Sequence, residues 1–155
     1  MRKSTKGAEE TKKIAADIAR KILRRGPGKK TAAVFGLRGG LGSGKTTFVQ
    51  GFFKGLGIKS RAVSPTFIIF RRHRIPGVKS YKPGVVGYKF VYHMDAYRLK
   101  SGKDTGPLGL KKLFKNPENI FLIEWAENIK SVLPKKSAWI KFYHGKKEKE
   151  RILLF

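Results

Sequence analysis

The stretch Gly39-Gly40-Leu41-Gly42-Ser43-Gly44-Lys45-Thr46-Thr47 limits what this chain can fold into more than any other. It reads G-x-x-x-x-G-K-T, the phosphate-binding loop pattern, which needs a buried strand before it and a helix after it. Both are present. Thr31-Ala32-Ala33-Val34-Phe35-Gly36-Leu37 is an apolar, β-branched run, and Phe48, Val49, Phe52, Phe53 and Leu56 recur at helical spacing. The glycines let successive backbone N–H groups face one anion, and the helix dipole adds to that field. In such a loop Lys45 reaches the β- and γ-phosphates, the Thr46 hydroxyl binds Mg²⁺ and Thr47 bonds the α-phosphate. The backbone of Gly40, Leu41, Gly42, Ser43 and Gly44 forms the cradle.

Around this loop the pattern predicts one α/β domain over all 155 residues, with no repeat and no internal boundary. Residues Met1–Gly7 are polar and read as a frayed lead. A helix is expected over Glu9–Arg24, where Ile14, Ile18 and Ile22 fall on one side with Ala15 and Ala19. Thr11, near its start, reads locally as a cap or a solvated side chain. Arg61-Ala62-Val63 reads as a short strand entering the extended Ser64-Pro65-Thr66-Phe67. Ile68–Phe70 and Tyr88–His93 form a hairpin whose long loop carries Arg71, Arg72, His73, Arg74, Lys79 and Lys82. Lys100–Pro107 is a polar loop and Leu108–Phe114 a short helix. Ile120-Phe121-Leu122-Ile123 is a central strand buried on both faces. Ala126–Leu133 is a short helix, and Ala138–His144 with Arg151–Phe155 closes the chain as an antiparallel hairpin.

Carboxylates are scarce, ten against thirty-six Lys and Arg, so their positions carry information. Asp95 and Glu124 end predicted strands, on the sheet edge where ligands bind in open α/β folds. Glu124 is placed either to hold a metal opposite the Thr46 hydroxyl or to pair with a lysine. Asp95 is a second acid near the metal, a group that orients attacking water, or a partner for Arg98 or Lys45. His93 reads as a packed or satisfied histidine, not a catalytic one. Trp125 either gates the site or, as the default, fills the core.

The net charge of +26 points to nucleic acid, to an acidic protein, or to a general basic bias. With no cysteine, disulfides and thiolate metal sites are excluded. No apolar run is long enough for a membrane span and no secretory pattern opens the chain, so the cytoplasm is the expected compartment.

In order along the chain, these segments resemble the TsaE (YjeE) family of P-loop ATPases. Gly39–Thr47 is similar to that family's G-D-L-G-A-G-K-T-T, and Ser64-Pro65-Thr66-Phe67 to its S-P-T-F/Y. His93-Met94-Asp95-Ala96-Tyr97-Arg98-Leu99 resembles H-x-D-x-Y-R-L, and Ile123-Glu124-Trp125-Ala126-Glu127 resembles I-E-W-x-E. Leu56-Gly57-Ile58 and Leu133-Pro134 match shorter family turns, and Glu10-Thr11 matches its N-terminal Glu-x-x-Thr region loosely. The resemblance implies a mixed, mostly parallel sheet flanked by helices and slow, Mg²⁺-dependent ATP hydrolysis with ATP and ADP as ligands. It further implies coupling to a TsaB–TsaD pair whose TsaD subunit threonylcarbamoylates tRNA. Carried over by position, Lys45, Thr46 and Thr47 contact phosphates and Mg²⁺, Glu124 joins the metal site, and Asp95 is required in the ATPase site. Thr11 belongs to the nucleotide site, Ser64 and Thr66 to a switch-like segment, and Trp125 is a mobile ring. Two positions depart. Gly40 replaces the family's usual acid, which bears on the hydrolysis rate more than on binding, and Ser43 replaces its alanine. Two other classes share these features: a small-molecule kinase with Arg71–Arg74 as its lid, and a basic RNA-binding module with a degenerate loop.

Overall fold

The computed structural model describes residues 1–28, 30–59, 70–77 and 87–155. In chain order its elements are β1 (Arg2–Thr5), α1 (Ala8–Arg25), β2 (Ala33–Arg38), α2 (Lys45–Gly55), β3 (Phe70–Arg74), β4 (Phe90–Asp95), α3 (Leu110–Phe114), β5 (Asn119–Glu124), β6 (Ala138–His144) and β7 (Arg151–Leu154). Two 3₁₀ segments, Gly102–Leu108 and Ala126–Val132, complete them. The strands form one seven-stranded sheet in the order β1-β7-β6-β2-β5-β4-β3. The inner four, β6, β2, β5 and β4, run parallel, while β7 and β3 pair antiparallel at either side. This is the mixed sheet that the family resemblance implies, with the closing hairpin that the pattern predicts.

Alternation sorts the core into two faces. Leu37, Val91, Ile120 and Leu122 point to the side covered by α1 and α2. Val34, Tyr92, Met94, Phe121 and Ile123 point to the other, under α3 and the Ala126–Val132 segment. Every residue of β5 is buried, which is why Ile120–Ile123 reads as unbroken apolar sequence between Asn119 and Glu124.

α1 and α2 meet through small residues. A Cβ built on Gly51 lies 2.4 Å from the Lys12 Cα, and one on Gly55 lies 2.5 Å from the Ala16 carbonyl. The buried residues of α1 are therefore Thr11, Ala15, Ala16 and Ala19, while Ile18 and Ile22 pack half-buried along the side. The isoleucine stripe predicted as the apolar face is thus the rim of the contact, and the alanines are its centre.

Several local expectations change. The polar lead is not frayed: Arg2–Thr5 pairs with Leu154–Arg151 as an edge strand, and the Met1 amino group donates to the Phe155 carbonyl at 3.0 Å. Backbone pairing makes this strand, so no apolar alternation announces it. Arg71–Arg74 are not in a loop but in β3, whose arginines suit a sheet edge. Lys100–Pro107 contains a 3₁₀ turn, because Ser101 and Asp104 form a capping box at its start. Gly109, at φ 63°, then delays α3 to Leu110. Ala126–Val132 is 3₁₀ with a kink at Ile129, not a regular helix. The expected strand at 61–63, the switch-like Ser64 and Thr66, and the hairpin residues Lys79 and Lys82 lie outside the described residues. Among the described residues no helix is long and apolar enough to cross a membrane.

Candidate nucleotide site

The loop between β2 and α2 lies at the carboxyl ends of the parallel strands, at one wall of a cavity of about 530 Å³. Leu41–Thr47, Asp95, Tyr97, Glu124 and Trp125 line that cavity. Sequence reasoning had selected each of these except Tyr97 as a site residue.

Three glycines of the loop are required by geometry, Gly42 among them with φ 70°. Gly44 has φ 99°, a conformation that side chains rarely adopt. A Cβ on Gly39 would stand 2.6 Å from the Phe142 carbonyl on β6. Gly40 is different: a Cβ there meets nothing within 4 Å, so an acidic side chain at this position is sterically free. The Ser43 hydroxyl is fully buried and has no hydrogen-bond partner.

Lys45 is buried and folded back on its own loop. Its Nζ donates to the Gly39 carbonyl at 2.6 Å and the Gly40 carbonyl at 2.9 Å. The ammonium also lies 4.0 Å from the centre of the Trp125 ring. Burial lowers the pKa of Lys45, and the carboxylates of Glu124, Glu127 and Asp95 oppose that shift.

Alternation brings the acids here. Ile120, Leu122 and Glu124 share one face of β5, and Val91, His93 and Asp95 share the same face of β4, the face covered by α2. Asp95 and Glu124 are register partners on adjacent strands. The Thr46 hydroxyl, on the first turn of α2, lies 2.8 Å from Glu124 Oε2 and 3.1 Å from Oε1. His93 Nε2 lies 2.8 Å from Glu124 Oε1, with both side chains buried. With Glu124 ionised that nitrogen carries the hydrogen. Asp95 Oδ1 accepts from the Tyr97 backbone N–H at 2.9 Å, at the cavity wall.

Trp125 has φ 56°, the one positive φ among the described non-glycine residues. It caps the Ala126–Val132 segment, and its ring is half-buried, 5.0 Å from Tyr97 and over Lys45. The core-filling default is therefore only part of its role. The left-handed backbone turns the ring toward the loop.

Thr11 is buried, not solvated. Its hydroxyl lies 2.9 Å from the Thr5 hydroxyl and donates to the Gly7 carbonyl at 3.3 Å. It lines a smaller cavity of about 290 Å³ on the other side of the loop, with Gly42, Gly44, Thr47, Lys149 and Arg151. Arg151 donates to the Gly42 carbonyl at 3.1 Å, and His144 Nε2 lies 3.3 Å from the Leu41 carbonyl. The last hairpin thus braces the loop, which no local sequence pattern announces. The His93 bond to Glu124 was missed by the reading of His93 as a packed histidine; the signal that could have found it is its place two residues before Asp95, on the face of the acid.

Fold and site together define a mixed α/β protein with a glycine loop, a lysine and two carboxylates at the carboxyl edge of its parallel strands. Residues 5–153 match the family model described as "Threonylcarbamoyl adenosine biosynthesis protein TsaE". The chain belongs to the TsaE family. It is 39% identical over 132 residues to the tRNA threonylcarbamoyladenosine biosynthesis protein TsaE of Bacillus subtilis, covering 85% of this chain and 70% of that one. The protein of the same name from Treponema pallidum is 31% identical over 140 residues, covering 90% and 89%. A crystal structure of Bacillus subtilis YdiB superimposes with a TM-score of 0.69 at 30% identity, over 99% of this chain and 82% of that one.

Proposed function

We propose that this chain is a small cytoplasmic P-loop ATPase, Mg²⁺-dependent and slow, that serves threonylcarbamoyladenosine modification of tRNA through a TsaB–TsaD-like complex. It does not itself transfer the threonylcarbamoyl group. The observation that carries the reading is the Thr46 hydroxyl on the Glu124 carboxylate, beside a glycine loop centred on Lys45.

The donor chemistry fits the implied ligands. A hydroxyl and a carboxylate are hard oxygen donors, which suit Mg²⁺. Among the described residues no group of three or more His, Cys, Asp or Glu is placed to hold a metal alone. Magnesium needs none, because it keeps waters and uses phosphate oxygens. The chemistry that bound Mg²⁺ would supply is neutralisation of charge on the phosphates. The backbone N–H groups of residues 40–44 would cradle the phosphates, and Lys45 would exchange its two carbonyl partners for phosphate oxygens. Thr46 and Glu124 would hold the metal, with His93 fixing the Glu124 carboxylate. Asp95 would orient a water and take its proton. Thr11 and Thr47, in the smaller cavity, would face the nucleoside side of the ligand.

The kinase alternative loses its lid, since Arg71, Arg72 and Arg74 belong to edge strand β3. The test is ATP hydrolysis by wild type and Glu124→Ala, with and without a TsaB–TsaD pair. Partner-stimulated turnover in the wild type that is lost in the variant is expected. Unchanged turnover in the variant would refute the metal assignment, and phosphorylation of a nucleoside or metabolite would favour the kinase.

A further inference from the structure

The sheet separates the acids of this chain from many of its cations. Glu9 and Glu10 open α1, Asp95 and Glu124 end β4 and β5, and Glu148 and Glu150 lie in the β6–β7 turn. All six stand at the end of the molecule where the parallel strands finish, the end of the nucleotide cavity. The opposite end is cationic. Arg24 and Arg25 close α1, Lys30 leads into β2, Lys59 follows α2, Arg74 ends β3 and Lys115 follows α3. All six side chains are exposed, and no ion pair among the described residues involves any of them.

These positions form one surface. The Ile75 N–H donates to the Lys89 carbonyl at 2.9 Å, Lys89 N–H to Glu118 at 2.8 Å, and Ala32 N–H to Phe114 at 2.9 Å. The ends of β3 and α3 and the starts of β2, β4 and β5 are thereby stitched side by side. A Cβ on Gly57 would lie 3.5 Å from the Pro76 ring, which brings the end of α2 beside them. The end of α1 is also here: burial raises the pKa of Tyr88, and the Arg25 guanidinium pulls it back. The carboxylate at this end, Glu118, is already held by Lys89 at 2.8 Å.

Clustered like charge destabilises a fold by self-repulsion, so packing alone gives no reason for it. We infer that this pole docks the phosphodiester backbone of folded RNA, away from the nucleotide cavity. A protein interface needs an apolar or aromatic centre. The exposed large hydrophobics among the described residues are Met1, Leu41, Tyr97 and Tyr143, and none lies at this pole. A phosphate backbone needs only spaced cations. The choice of RNA among polyanions rests on the tRNA-modification reading above.

The experiment is fluorescence anisotropy with a labelled, unmodified tRNA transcript across a salt series. Three proteins are compared: wild type, a pole variant (Arg24→Gln, Arg25→Gln, Arg74→Gln, Lys115→Gln) and a charge-matched variant at the other end (Lys6→Gln, Lys100→Gln, Lys146→Gln, Lys147→Gln). Each phosphate contact adds roughly 0.7 to 0.9 to the slope of log affinity against log salt. Four lost contacts flatten it by about 3, so a fourfold rise in salt costs the wild type roughly sixtyfold more affinity than the pole variant. The charge-matched variant should keep most of the wild-type slope. Equal losses in both variants, absence of wild-type binding to the transcript, or tighter binding to poly-glutamate would each overturn the inference. Binding of a fluorescent ATP analogue is measured on the same samples and should be equal in wild type and pole variant. RNA binding through the pole without ATP binding would sink the ATPase reading and leave this one standing.

Discussion

Replacing Gly51 with alanine tests how α1 and α2 hold the site together, and two effects oppose each other in sign. In a helix interior alanine is favoured over glycine by about 0.8–1.0 kcal/mol, so propensity alone predicts a more stable protein. The geometry predicts the reverse. The added methyl would stand 2.4 Å from both the Cα and the carbonyl oxygen of Lys12. These are backbone atoms of α1, and no rotamer change moves them away. To reach ordinary contact, near 3.5 Å, the helices must separate locally by about 1 Å, which opens the packing of Ala15, Ala16 and Ala19. Overpacking of this kind costs about 1–3 kcal/mol, and a backbone clash belongs at the upper end. The net expectation is a loss of about 2 kcal/mol. With a urea m-value of about 2 kcal/mol/M, the unfolding midpoint falls by about 1 M. Affinity for a fluorescent ATP analogue should fall as well, because α1 carries Thr11 beside the loop. Urea titration followed by circular dichroism reads the first effect. A variant more stable than the wild type would refute the close-approach argument and leave propensity as the ruling term.

Two further outcomes follow from the loop itself. Gly40→Asp should leave the urea midpoint within about 0.5 kcal/mol of wild type, since its Cβ enters open space, while ATP turnover changes more than ATP affinity; a large loss of stability would show that the position is not free. Lys45, its pKa lowered by burial, should lose its proton below the ordinary lysine value of 10.5, so log affinity for an ATP analogue should begin to fall with rising pH before 10.5. The sign for stability is opposite: between the lowered pKa and 10.5 the unfolded chain binds the proton that the native state has released, so stability rises with pH there. An alkaline break in affinity at or above 10.5 would contradict the burial argument.

Much of this protein is legible in its sequence. G-x-x-x-x-G-K-T between an apolar run and a helical period specifies a loop at a strand's carboxyl end, because the pattern is local and each residue's part is local. Asp95 and Glu124 were found because strand ends are marked by where apolar sequence stops. The two-residue spacing from His93 to Asp95 also held its message, although histidine in an apolar strand reads first as packing. Other features had no local signature. β1 exists through its ladder to β7, residues 151–154 supplying what Arg2–Thr5 lacks. Arg151 reaches the Gly42 carbonyl across a sequence separation of 109. The alanine centre of the α1 contact depends on glycines in another helix. The arginines at 71–74 looked like loop residues because an edge strand tolerates charge that an inner strand does not. The sequence by itself determined the glycine loop between strand and helix, the acids that line its cavity and the family. Only the tertiary structure decided that the Trp125 ring lies over Lys45 and that a histidine clamps Glu124. Those are contacts between segments distant in sequence, and packing and sheet order, not local pattern, select them.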